Sequence, residues 1–234
     1  MNSTDSRATV ATLLLDIGAV SLHIQPPFRY RSGLWSPIYT DNRLLCSYPA
    51  AREQITAHFV QALQECSLTP DVIAGVATAG IPHAAWLAQA LNLPMVYVRA
   101  ETKDHGKGHR IEGTLTPKGL TSRRPPDVLV VEDLVTTGGG SLGTVAAVRE
   151  EGGAVSNCVA ICTYDLPEAH HAFAEAAVML TPLCSFDDLV TAAGQRGALS
   201  HQDLEPARQW QADPVAWSAR YEEELRGSAT HTHP

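Results

Sequence analysis

Val128-Leu-Val-Val-Glu132-Asp133-Leu-Val-Thr136-Thr137-Gly138-Gly139-Gly140-Ser141 is the stretch on which the fold turns. Val128 to Val131 is an unbroken aliphatic and β-branched run, the pattern of a strand buried on both faces. It emerges into two carboxylates, then into hydroxyls and glycines, and a helical spacing of Leu142, Val145 and Ala146 follows. A strand that delivers the chain through a glycine loop into a helix is the repeating unit of a parallel α/β sheet.

The same pattern extends outward on both sides. Val72 to Val76, Met95 to Val98, Val155 to Cys162 and Val178 to Leu180 read as further buried strands. Between them Ile55, Phe59 and Leu63, and then Ile81, Ala85 and Ala88, recur at helical spacing, so each crossover can carry a helix. The expected architecture is α/β, a mostly parallel, doubly wound sheet. Asp5 to Gly18 reads as an opening helix, and Pro26 to Arg43, rich in Pro, Gly, Ser and aromatics, as a hood segment ahead of the sheet. After Asp203 a polar helix is expected to end near Arg226, with residues 225–234 a disordered tail in which His231 and His233 are solvated rather than metal ligands. No repeat or low-complexity linker interrupts residues 1–234, and 234 residues suit one compact domain with a substantial core.

A formal net charge of -8 leaves no basic footprint for DNA or RNA. There is no run of transmembrane length, and the apolar stretch Val10 to Leu15 is cut short by Asp16, so it does not read as a signal peptide. The five cysteines, Cys46, Cys66, Cys158, Cys162 and Cys184, are odd in number and scattered, which fits a reducing, cytoplasmic setting. Cys158 and Cys162, four apart in an apolar run, read as core thiols rather than metal ligands.

The chemistry concentrates where the quoted strand ends. Glycines let a backbone close around phosphate oxygens, a helix N-terminus supplies free N–H groups and a positive dipole end, and Thr136, Thr137 and Ser141 add hydroxyl donors. The stretch lacks the lysine of a Walker P-loop and the G-x-G-x-x-G spacing of a dinucleotide fold. Two acids beside a phosphate cradle would repel a bare anion. A ribose 5-phosphate resolves this, because its 2- and 3-hydroxyls can donate to the carboxylates.

Two further segments add to the pattern. Arg99, Lys103, His105, Lys107, His109 and Arg110 crowd a glycine-rich loop after the strand Met95 to Val98, in an otherwise acidic chain. Such a loop can bring positive charge to a departing anion and exclude water. Ala77-Thr-Ala-Gly80-Ile-Pro82 follows the strand Val72 to Val76, with Pro82 in the first helical turn and small residues that leave N–H groups open. Upstream, Phe28-Arg-Tyr-Arg31-Ser-Gly33-Leu-Trp-Ser36-Pro37-Ile-Tyr39 supplies aromatic faces and a cation, although Phe28 suits a core position equally.

Taken in chain order, these segments resemble the orotate phosphoribosyltransferases, a family of type I phosphoribosyltransferases. The acids followed by Thr-Thr-Gly-Gly resemble that fold's phosphoribosyl pyrophosphate (PRPP) motif. Arg99, Lys103, His105 and Gly106 resemble the family's basic loop, and Ser-Gly with Ser-Pro its N-terminal signature. The resemblance implies that Glu132 and Asp133 hold the ribose hydroxyls, with Leu134 and Val135 in the motif, and that Thr136, Thr137, Gly138, Gly139 and Gly140 bind the 5-phosphate. It implies pyrophosphate contacts from Ala77, Thr78, Ala79 and Gly80 and from Arg99, Lys103, His105 and Lys107, with Lys103 and His105 catalytic. Arg31, Phe28 and Thr136 would bind orotate. Mg²⁺ would be held through the substrate rather than by a protein cage, and the active sites would be shared across a homodimer. Three departures stand out: Gly140 where the motif closes with Ser, Ala100 where a second lysine is common, and Arg31 in place of Lys. The alternatives are a type I transferase for another base, such as a purine, or a PRPP-sensing regulator, which would need a basic surface or an added DNA-binding module.

Overall fold

The computed structural model describes residues 3–100, 110–117 and 124–230. In chain order they form α1 (Ser3–Asp16), β1 (Val20–Leu22), β2 (Phe28–Arg29), β3 (Trp35–Ser36), β4 (Ile38–Thr40), a 3₁₀ turn over Asn42–Ser47, and α2 (Pro49–Glu65). There follow β5 (Val72–Val76), α3 (Gly80–Leu91), β6 (Met95–Val98), β7 (Ile111–Glu112), β8 (Asp127–Val135), α4 (Gly139–Glu150) and β9 (Ala154–Thr163). The chain continues as α5 (Pro167–Glu175), β10 (Met179–Ser185), α6 (Phe186–Gln195), α7 (His201–Ala212) and α8 (Pro214–Thr230).

The main sheet runs β10-β9-β8-β5-β6-β7, parallel except for β7, which pairs antiparallel with β6. Alternate residues of each strand enter opposite layers, as the pleat dictates. Ile73, Leu129, Val131, Val159 and Ile161 join one core with residues of α1, α2, α3, α6 and α7. Val72, Ala74, Val128, Val130, Cys158 and Ala160 join the other with residues of α4 and α5. Helices therefore cover both faces, and the expected doubly wound α/β fold is what the chain adopts. Among the described residues no helix is long and apolar enough to cross a membrane.

Several local expectations shift. β8 continues past Val131 to Val135, because Glu132 to Val135 still pair with β9, so the two acids lie within the strand rather than after it. β10 runs to Ser185, well beyond Leu180. The buried face of α3 is His83, Ala84, Leu87 and Ala88, not the face of Ile81 and Ala85, and in α4 Val145, Ala147 and Val148 are buried while Ala146 is exposed. Helical spacing alone leaves this rotation open when alanines stand on several faces. The C-terminal polar helix is two helices, broken at Asp213 and Pro214, and the second reaches Thr230 rather than ending near Arg226. All five cysteines are free thiols. Cys158, Cys162 and Cys184 are fully buried, and burial pushes the Cys162 thiol up to about 12, which makes it an unreactive core group.

Candidate active site

The strand order reverses between β5 and β8. From β5 the chain moves outward to β6, and from β8 it moves the other way to β9 and β10. Open α/β sheets bind ligands at such a switch point, beyond the carboxyl ends of the strands. The two loops leaving β5 and β8 are pressed together there. A Cβ on Gly80 would lie 2.6 Å from the Val131 carbonyl oxygen and 3.3 Å from Glu132 Cα, so only glycine allows this approach. The Ala77–Thr78 peptide in the first of these loops is cis.

Helices α3 and α4 start at the same place, and neither has a side-chain cap: their N-caps are Ala79 and Gly138. By contrast, α6 carries a full capping box, Ser185 with Asp188, and at the start of α7 the Ser200 amide and hydroxyl both donate to Asp203 Oδ2. Uncapped first-turn N–H groups and two positive dipole ends converge on one crevice, a ready anion site. Gly138 holds φ at 87°, and a Cβ there would meet the Phe173 ring at 2.8 Å, so the tight turn into α4 requires glycine. Gly140 differs. A Cβ there would find only ordinary contacts, 3.5 Å from Glu132 Oε2 and 3.7 Å from Val76, so the missing hydroxyl is not excluded by crowding.

Glu132 is buried beneath this turn. Its Oε2 accepts a hydrogen bond from Ser141 Oγ at 3.1 Å, and its Oε1 accepts one from the Asp133 amide at 3.1 Å. Burial raises the carboxyls of both Glu132 and Asp133 above the usual range, and the neighbouring Asp133 charge raises Glu132 further. Two adjacent carboxylates, Glu132 buried and Asp133 half-buried, resist full ionisation together. Incoming hydroxyl donors or a cation would relieve that resistance, which is the chemistry a ribose and a metal-chelated diphosphate present. Asn42 Nδ2 donates to the Asp133 carbonyl at 2.9 Å and ties the chain after the hood to this strand.

The neck of the basic loop is a short hairpin. The Arg99 amide donates to the Arg110 carbonyl at 3.0 Å, and Arg110 Nε donates back to the Arg99 carbonyl at 2.9 Å. Arg99 Nε lies 3.4 Å from Glu112 Oε1. Lys103, His105 and Lys107 lie outside the described residues. Arg110, counted in the basic cluster from sequence but given no contact there, has its guanidinium 3.5 Å from the place of a Cβ on Gly143, in the second turn of α4.

In the hood, β1 pairs with β4 and β2 with β3. The Tyr30 hydroxyl donates to the Ile38 carbonyl at 2.7 Å and accepts from Ser36 Oγ at 2.9 Å. Tyr164, which follows β9, donates to Thr40 Oγ1 at 3.1 Å. A cavity of about 500 Å³ opens between hood and cradle, lined by Tyr30 and Ser32 from the hood, Thr136 and Thr137 from the cradle, and Trp210 and Val215 from the C-terminal helices. Of the residues expected around the base, Thr136 lines this cavity and Phe28 and Arg31 do not. Phe28 is half-buried between His23 and Tyr39, with ring centroids 5.3 and 5.7 Å away, and Arg31 is exposed.

Sequence reading passed over Tyr164, Trp210 and Val215. A signal was present: Trp210, Trp217 and Tyr221 interrupt a stretch otherwise read as polar, and Pro214 marks the break between its helices.

Comparison with known proteins adds the family. A model of the phosphoribosyl transferase domain matches residues 47–171. An orotate phosphoribosyltransferase of Coxiella burnetii is 44% identical over 208 residues, spanning 89% of this chain and 96% of its own length. One from Lactiplantibacillus plantarum is 46% identical over 212 residues, spanning 90% and 96%. Among solved structures, orotate phosphoribosyltransferase from Aeropyrum pernix matches with a TM-score of 0.66 at 27% identity, covering 82% of this chain and 99% of that one. An adenine phosphoribosyltransferase matches at 0.57 and 17% identity, over 74% of this chain and 99% of its own. That second likeness is of fold alone, so the fold by itself does not select the base.

Proposed function

The chain belongs to the orotate phosphoribosyltransferases, and from that premise we propose that it joins orotate to the ribose of PRPP, giving orotidine 5'-phosphate and pyrophosphate for pyrimidine biosynthesis. The observation that carries the reading is the approach of Gly80 to Val131 and Glu132, which sets an uncapped helix start beside an acid pair and a glycine turn.

In this reading the C1–O bond of PRPP breaks with its electron pair leaving on pyrophosphate, while orotate N1 forms the new C1–N bond with inversion and gives up its proton. The transition state resembles an oxocarbenium ion, and no covalent nucleophile is needed. Thr136, Thr137 and the amides of Gly138, Gly139 and Gly140 hold the 5-phosphate, in a motif that includes Leu134 and Val135. Glu132 and Asp133 accept hydrogen bonds from the ribose hydroxyls and fix C1 against the base. Ala77 to Gly80 surround the pyrophosphate. Arg99, Lys103, His105 and Lys107 bring positive charge as its negative charge develops, with Lys103 and His105 the catalytic groups. When bound, Mg²⁺ would be held through substrate oxygens and would supply charge neutralisation to the pyrophosphate. The acid pair fits that role, since its raised carboxyls ionise more readily beside a cation. Arg31, Phe28 and Thr136 are assigned to orotate, with Arg31 and Phe28 acting from outside the cavity wall. The working unit is a cytoplasmic homodimer whose basic loops reach into the partner's site.

The test follows the orotate absorbance band with PRPP and Mg²⁺, for wild type and Lys103→Ala. Consumption of orotate by wild type and a drop of about 10²-fold or more in kcat for the variant are expected. Consumption of adenine or hypoxanthine with orotate untouched would overturn the base assignment.

A further inference from the structure

We infer that the corner between α7 and α8, Ala212 to Val215, is the third wall of the base cavity and limits the size of base that the enzyme accepts. The inference rests on the orotate reading above and deepens it. The cavity takes one side from the cradle, at Thr136 and Thr137, and another from the hood, at Tyr30 and Ser32. Of the remaining lining, Tyr164, Leu166, Pro167 and Glu168 come from the turn that leads from β9 into α5, and Ala212, Asp213, Pro214 and Val215 from the α7–α8 corner. The family resemblance read from sequence does not reach these residues, and the matched domain ends at residue 171.

The corner is rigidly held, which a size filter requires. Trp210 is 2% exposed and packs edge-on to Tyr164 and tilted against Phe186, with ring centroids 5.6 and 5.4 Å away. Gln211 Nε2 donates to the Tyr164 carbonyl at 3.2 Å. Asp213 Oδ1 accepts the Ala216 amide at 2.9 Å and caps α8, and Pro214 opens that helix with its φ already suited to it. The same helices grip the hood: Trp210 Nε1 donates to the Trp35 carbonyl at 3.1 Å, and the Trp35 amide donates to Ser218 Oγ at 3.0 Å.

Within this framework the side chains presented to the cavity at 212 and 215 are small, and both positions are exposed, Val215 at 61%. Added bulk there would fill the cavity with little disturbance of the core. Glu168, in the first turn of α5, and Asp213, on the corner itself, also line the cavity. Their charges repel the carboxylate of orotate, so the edge turned toward this wall is the one bearing N3–H.

The experiment is steady-state kinetics on the full chain for wild type, Val215→Trp and Ala212→Trp, with melting temperatures. Filling a base pocket by a few heavy atoms changes base selection by about tenfold or more. The expected result is a KM for orotate raised by that factor in both variants, a KM for PRPP within about twofold of wild type, and an unchanged melting temperature. An active wild type with orotate KM unmoved in both variants overturns the wall. So does a parallel rise of both KM values, which would mean that the cradle had been disturbed. A wild type that turns over no orotate fails the functional reading first, and the inference with it.

Discussion

Glu132 shows how one side chain can carry function at the expense of stability. Its carboxyl lies above the usual range when folded, chiefly through burial, so the folded state holds the proton more tightly than the unfolded chain does. Stability from this group is therefore fully present below the ordinary carboxyl range, and is lost as pH rises toward the folded value. At neutral pH the folded site keeps a proton that the unfolded chain has released, and hydroxyl donors or a cation arriving beside the pair favour its loss. Glu132→Gln keeps the shape, and its amide oxygen can still accept from Ser141. We expect the variant to melt higher than wild type at about pH 8, with the gap closing toward about pH 4.5, while kcat/KM for PRPP falls about 10²-fold. Differential scanning calorimetry across that range checks the sign. A variant less stable than wild type at the alkaline end would remove the burial argument. The residue scale is also where sequence said most. The adjacency of two acids and a glycine turn was legible because each residue type has one dominant reason to be there. Gly80 was legible as part of a small-residue loop, but its contact with Val131 was not, since that contact depends on how two strands distant in sequence are paired.

At the scale of elements, the strands were legible and the rotation of the helices was not. A strand buried on both faces announces itself by an unbroken aliphatic run such as Val72 to Val76, whatever it packs against. A helix rich in alanine, such as α3 or α4, offers several faces that look alike, and only packing selects one. The α7–α8 pair was read as a single polar helix because its anchoring residues, Trp210, Trp217, Ser218 and Tyr221, are too sparse to set a period. In the fold they do one specific thing: they take both backbone hydrogen bonds of Trp35 and pack Tyr221 edge-on to its ring at 5.1 Å. Trp210→Phe and Ser218→Ala each delete one of these bonds, at a cost of about 1 kcal/mol each. Because both converge on Trp35, their effects on denaturant unfolding are expected to be non-additive. Simple addition, within error, in a double-mutant cycle would mean that the two helices do not act together on the hood.

At the scale of the whole molecule, the acidic surface and the cationic loop bear on assembly. With a net charge of -8, the chain as a whole repels its polyanionic substrate, and the basic segment between β6 and β7 is the counterweight. Its neck is fixed by the Arg99 amide on the Arg110 carbonyl and by Arg110 Nε on the Arg99 carbonyl, so the loop springs from the same edge of the sheet in every subunit. Glu132 lies two strands away, on β8. If each loop serves the partner's site, as proposed, the two defects Lys103→Ala and Glu132→Gln fall in different sites when carried by different subunits. In a mixed dimer, the site with an intact Glu132 belongs to the Lys103→Ala subunit and receives an intact loop from its partner. The other site receives both defects. Random exchange of two inactive homodimers makes half of the dimers mixed, each with one working site, so activity should recover to about a quarter of wild type. Mixing the variants after mild dissociation and assaying orotate consumption measures this directly. If the loop serves its own subunit, every site carries one defect whatever the pairing, and mixing restores nothing.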